Sequence, residues 1–234
     1  MDPLLISYLS LRYENEEDQK YRAGLIDQFE YARMTKSYHL ALFAYHLLFM
    51  IFIYQTVFKI KIWMPDRFSD ALSQSPVDKR RQYKEATSAY AFVEIPERTI
   101  LEFLNLLGEC EAIIASCKKR IIDYRNENLG HANLYIVSEE EFENKIEEYN
   151  RTALEIHRLS HKELTRIFTA YFDGIDPTLE QTRDDIEINL ILPNRLSDKD
   201  LESLAVDCLM STDPTKRKTS DILRDNFGIE IMLV

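Results

Sequence analysis

The stretch from Arg125 to His131 brings a guanidinium, the carboxamide of Asn126 and an imidazole close together along the chain. Lys118-Lys119-Arg120 runs just before it. Residues 115–125 therefore hold four basic groups and one acid, a local +3 in a chain of net charge −11. An arginine side chain stays charged and forks onto phosphate oxygens. Aimed at a reacting phosphorus, it stabilises the extra negative charge of the five-coordinate state. Imidazole titrates near neutrality, so it can take a proton from a ribose 2′-hydroxyl or give one to the departing oxygen. Together these groups suit metal-free cleavage of RNA. The 2′-oxygen attacks phosphorus, the 5′-oxygen leaves, and a cyclic phosphate remains. DNA lacks the attacking group. Arg125 and His131 are the expected catalytic residues, and Asn126 orients one of them or bonds the phosphate. Lys118, Lys119 and Arg120 are the expected RNA-binding residues.

Spacing alone does not bring these groups face to face. On an uninterrupted α-helix Arg125 and His131 end about 120° apart around the axis. Gly130 lies between them and tolerates backbone angles that stop a helix and turn the next residue back. Arg33 with His39 and Arg151 with His157 repeat the spacing. Both read as lying within continuous helix, and Met34 and Thr152 follow the arginine where Asn126 does so here. The bland reading of Arg125, Asn126 and His131 is a polar helix end, with cations near the last carbonyls.

The 234 residues are enough for one large domain, or for a domain with an appendage. With Gly at 5 and Pro at 7, turn punctuation is too sparse for a sandwich, a barrel or a Gly-rich phosphate loop. An apolar fraction of 45% supplies a core. Asp plus Glu at 40 against Lys plus Arg at 29 excludes a protein that coats nucleic acid by bulk positive charge. A local basic cleft is compatible with that balance. Cys110, Cys117 and Cys208 make neither a disulfide framework nor a zinc knuckle, and no basic leader follows Met1-Asp2-Pro3. The expected location is cytoplasmic. No nucleotide-cofactor fingerprint occurs, so no cofactor is expected. His157 and His161 have zinc-binding spacing, but Arg158 stands where a zinc-protease helix carries Glu, so no metal is expected.

The elements that must carry these residues read as helices. No Pro occurs between Gln19 and Trp63, and Met64-Pro65-Asp66 ends that stretch, which is one long helix or two stacked ones. Ser37 to Phe58 carries no formal charge. Its length suits a membrane span. His39, His46, Gln55 and Thr56, with Tyr38, Tyr45 and Tyr54 scattered through it, favour the central helix of a bundle. A second helix is expected from Glu97 to Arg125, with Ile100, Phe103, Leu104, Leu107, Cys110, Ile114, Cys117 and Ile121 in one stripe. Ser138 and Glu141 form a capping-box pattern that launches a third helix to Phe172.

Asp173-Gly174-Ile175-Asp176-Pro177 marks the expected boundary between a body, residues 1–172, and a tail, residues 173–234. In the tail Ile186, Ile188, Leu190 and Leu192 alternate as in a strand, and so do Ile229, Ile231 and Leu233. Ser197–Met210 and Thr219–Phe227 read as helices. The expected fold is mainly α, a bundle of long antiparallel helices with a small acidic α+β appendage at the C-terminus.

Arg125-Asn126 followed by His131, at the end of a bundle helix in a helical chain, resembles the ribonuclease and toxin-like branch of the HEPN superfamily (higher eukaryotes and prokaryotes nucleotide-binding). The likeness covers residues 19–172 in architecture and Arg125 to His131 in motif. It implies a metal-independent endoribonuclease acting as a toxin or antiviral-defence effector in abortive infection. It implies a homodimer in which two Arg125/His131 pairs share one cleft, with RNA as substrate. An antitoxin or regulatory protein partner belongs to the same picture. Family members silenced by nucleotidylation carry Tyr two residues after the His. Here Asn133 stands there, and Tyr135 follows it.

A different class of function fits the same composition. A non-catalytic helical interaction module would use the bundle and the acidic tail to bind or regulate a protein partner. Residues 139–150 hold six Glu and one Lys, and residues 171–209 hold ten acids and three basic groups. Such stretches serve solubility, or they cover a basic surface on this chain or on a partner.

Overall fold

A computed structural model describes residues 4–12, 16–74, 77–129, 136–176 and 181–229, without the side chains of 74, 77 and 78. Eleven α-helical segments occur among the described residues, together with shorter 3-10 and π segments. No β-strand occurs among them, and the one isolated bridge pairs Ser10 with Ser197. The chain forms two compact units. One comprises Met1–Ile6 and Tyr13–Leu159, the other Ser7–Arg12 and Ser160–Val234.

The first unit is built around one apolar helix. α1 (Glu16–Met34) leads into α2 (Tyr38–Trp63) through a tight reversal. Lys36 takes φ 57° there, Lys36 N–H donates to Arg33 O at 3.0 Å, and Ser37 N–H to Ala32 O at 2.8 Å. That is a Schellman ending with Lys in the left-handed position. The reversal separates Arg33 from His39, which therefore do not share a helix as their spacing suggested. α2 is long and apolar enough to cross a membrane, yet 78% of its most apolar 18-residue window is buried inside the fold. A helix with no polar face belongs where neighbours cover every side. Phe29 of α1 lies 5.0 Å from the Tyr45 ring of α2. α7 (Glu139–Asp173) adds Phe142 and Tyr149, the latter 5.3 Å from the Phe49 ring. Tyr45 OH donates to Asn150 Oδ1 at 2.5 Å.

The other end of α2 meets a second aromatic cluster. α3 (Pro65–Ala71) supplies Phe68, α4 (Val77–Glu85) supplies Tyr83, and the 3-10 turn Ala89–Glu94 supplies Phe92. Phe92 lies 6.3 Å from Phe58, 6.0 Å from Phe68 and 5.8 Å from Tyr83.

The helix expected from Glu97 to Arg125 is interrupted. α5 (Glu97–Ile100) passes into a 3-10 segment, Leu101–Leu106, and α6 (Glu111–Cys117) starts afresh. Gly108 between them has φ 152°, a conformation that L side chains rarely adopt. Most of the expected stripe is buried all the same: Ile100, Phe103, Leu104, Cys110, Ile114, Cys117 and Ile121. After α6 the helix widens into π turns over Lys118–Asp123 and Arg125–Leu129. Ser138 Oγ accepts from Glu141 N–H at 3.2 Å, as the capping pattern predicts at the start of α7.

The second unit corrects the expected α+β appendage: its described residues are helical. The strand expected over Ile186–Leu192 is instead helical: α8 (Arg183–Ile186), a π segment Glu187–Ile191, and α9 (Leu192–Asn194). Ile186, Leu190 and Ile191 are buried while Ile188 is exposed, so the buried positions follow helical spacing and not alternation. The cause is local. Thr182 Oγ accepts from Asp185 N–H, and Asp185 Oδ2 accepts from Thr182 N–H at 2.8 Å, a capping box that commits the chain to helix. The second expected strand lies beyond Ile229, outside the described residues. α10 (Asp198–Leu209) is capped by Ser197 through a second capping box with Asp200. α11 (Pro214–Phe227) starts earlier than expected, with Asp213 as its cap and Pro214 in its first turn. Ser10 Oγ donates to Arg195 O at 3.0 Å and ties the Ser7–Arg12 segment into this unit.

Candidate active site

Arg125 and Asn126 sit on the π-helical segment, where five-residue hydrogen bonding widens the turn. Ile122, Arg125 and Asn126 together line an open cleft of about 410 Å³. Val93, Glu94, Ile95, Pro96, Glu97 and Arg98 also line it, and so does Tyr54 of α2. Arg125 is about a quarter exposed, with Nη2 donating to Glu97 Oε1 at 2.8 Å and Nη1 to Asn126 Oδ1 at 2.8 Å. Its Nε is buried with no hydrogen-bond partner. The motif's first two residues therefore meet in one place.

Glu97 is the hub. Its Oε1 also lies 3.2 Å from Nε2 of His46, which is fully buried in α2. His46 Nδ1 lies 3.0 Å from Tyr149 OH on α7. A carboxylate only accepts, so Nε2 of His46 carries the proton. The Tyr149 hydroxyl completes Nδ1, as donor to the neutral ring or acceptor from the protonated one. Burial pushes the Glu97 carboxyl up, but the hydrogen bond and attraction of His46, then the Arg125 guanidinium, hold it below the usual carboxylate range. Burial raises the Tyr149 hydroxyl well above the usual phenol value. Tyr54 is pushed up to about 12, by burial first and then by the Glu97 charge.

The expected RNA-approach residues lie elsewhere on this helix, and none of the three lines the cleft. Lys118 pairs with Glu102, Arg120 lies 3.8 Å from Glu148, and Lys119 is exposed. The second cation in the cleft is Arg98, which pairs with Asp123. Glu94, which also lines the cleft, pairs with Lys79. The segment is anchored to α7 by Tyr124, whose OH donates to Glu141 at 2.8 Å and whose ring receives Lys145 Nζ at 4.1 Å.

His131, with Gly130, lies outside the described residues. Leu129, the last described residue before it, is buried. Among the described residues no group of three or more His, Cys, Asp and Glu is arranged to hold a metal ion. His157 and His161 stand on α7 in continuous helix.

Sequence reading passed over Glu97, Tyr54, Arg98 and Tyr149 as site residues, because they come from segments far apart in the chain. His46 offered the one usable signal. An imidazole inside an apolar helix needs a partner, and its partners lead to the cleft. Comparison with family models, with curated proteins and with solved structures yields no match for this chain.

Proposed function

We propose that the protein is a metal-independent, HEPN-like endoribonuclease acting as a toxin or antiviral-defence effector. Arg125 clamps the scissile phosphate and stabilises its transition state. Asn126 holds the guanidinium through its side-chain oxygen and leaves its amide N–H groups for the phosphate. His131 takes the 2′-hydroxyl proton or supplies one to the 5′-oxygen. One guanidinium and one imidazole are few groups for an in-line transfer, so a homodimer joins two Arg125/His131 pairs in one cleft. The observation that supports this reading is the meeting of Arg125 and Asn126 in an open cleft, with the guanidinium held in place by Glu97.

Labelled RNA in EDTA tests it. The wild-type protein leaves 2′,3′-cyclic phosphate ends, and Arg125→Ala and His131→Ala do not. Equal cleavage by the variants removes the assignment.

A second reading draws on the same ion pair. A guanidinium engaged by Glu97 and Asn126 is also how an arginine ties two segments together in a non-catalytic interaction module that binds a protein partner. In that case no RNA is cut, and Arg125→Ala preserves the protein's biological effect.

A further inference from the structure

α2 is otherwise almost wholly apolar around His46, and the fold keeps this imidazole fully buried. Burying polar groups costs stability unless every partner is supplied, and a well-packed apolar side chain often does better. The partners here form an ordered series. Tyr149 OH meets His46 Nδ1 at 3.0 Å, His46 Nε2 meets Glu97 Oε1 at 3.2 Å, and Arg125 Nη2 meets that same oxygen at 2.8 Å. The series starts in the core, at a hydroxyl on α7, and ends at a guanidinium that lines the cleft and carries a buried Nε with no hydrogen-bond partner.

We infer that Tyr149, His46 and Glu97 form a positioning relay that holds the Arg125 guanidinium at a fixed angle in the cleft, ready for an anion. Tyr149 holds the imidazole, the imidazole donates to Glu97, and Glu97 fixes one edge of Arg125. Guanidinium N–H groups not engaged by Glu97 or Asn126 are thereby pre-organised for phosphate oxygens. Pre-organisation matters because a catalytic donor that must first reorient loses transition-state stabilisation. Tyr149 and His46 do not line the cleft, so they act only through Glu97. The catalytic consequence rests on the ribonuclease reading; the holding of the guanidinium does not.

The test uses full-length protein with two independent readouts. The first is the hydrogen-exchange rate of the Arg125 guanidinium by nitrogen-15 NMR, its signal identified by loss in Arg125→Lys. The second is RNA cleavage, with kcat and KM separated. Tyr149→Phe and His46→Leu are compared with His46→Gln, whose side-chain amide presents an N–H where the imidazole Nε2–H stood. Melting temperature reports folding. Tyr149→Phe and His46→Leu speed guanidinium exchange at least tenfold and lower kcat about tenfold with KM nearly unchanged, while His46→Gln recovers most of both. Wild-type exchange in folded Tyr149→Phe and His46→Leu overturns the relay. Should His46→Leu fail to fold, Tyr149→Phe alone decides. Faster exchange with no cleavage of RNA by any form leaves the relay standing and removes the ribonuclease reading.

Discussion

Oε1 of Glu97 lies 2.8 Å from Nη2 of Arg125, and the same oxygen lies 3.2 Å from Nε2 of His46. One carboxylate oxygen thus joins the apolar helix α2 to the π-helical segment that carries Arg125. The pair has a definite pH signature. The Glu97 carboxyl is lowered from 4.5 in the folded state, so its contribution to stability is fully present above that value. It is lost as pH falls through the lower, folded value. Glu97→Gln is expected to cost about 1–3 kcal/mol at neutral pH, for the loss of a charged hydrogen bond to two partners. Urea melts of both proteins from pH 7 down to pH 3 check this, and the gap between them narrows below pH 4.5. A constant gap across the range refutes the assignment.

Arg125→Lys keeps the charge but loses the planar fork, so charge alone does not replace it. Cleavage of RNA is expected to fall by about 10²-fold or more, as for loss of a directed donor to a developing oxyanion. Single-turnover assays in EDTA measure it. Retained activity means that the guanidinium does not touch the transition state.

α2 is the core of the first unit, and Leu48 within it is fully buried. Leu48→Ala is expected to cost about 2–5 kcal/mol, through lost transfer energy and the cavity left behind. Urea denaturation in detergent-free buffer measures that cost. An α2 that spanned a lipid bilayer would give no cooperative unfolding under those conditions.

Thr182 caps α8 and closes the box with Asp185. Thr182→Ala is expected to cost about 1 kcal/mol and to fray residues 183–194. Amide exchange checks it: protection falls from Arg183 to Ile191 and holds in α10.

Most local signals in this chain are legible where one segment carries the whole cause. The α2 core helix, the launch of α7 at Ser138 and the cap of α10 at Ser197 follow from composition and side-chain caps near the elements concerned. The Thr182–Asp185 box is equally local, but the alternation from Ile186 to Leu192 masks it, because period two over so few residues does not separate strand from helix. The break at Gly108 was hidden because the apolar stripe runs through it unbroken, and burial depends on where side chains end up, not on whether the helix is continuous.

By itself the sequence determined a mainly helical body with one helix apolar on every side, because composition and short-range spacing act through neighbouring residues; it did not determine that residues 183–194 are helical. It also singled out Arg125 and Asn126. Tertiary structure alone decided that Glu97 meets Arg125, that His46 and Tyr149 stand behind Glu97, and that Arg98 lines the cleft while Lys118, Lys119 and Arg120 do not. Those pairings join residues from separate helices. Only packing around α2 brings them within hydrogen-bond reach, and no period or spacing along the chain encodes that distance.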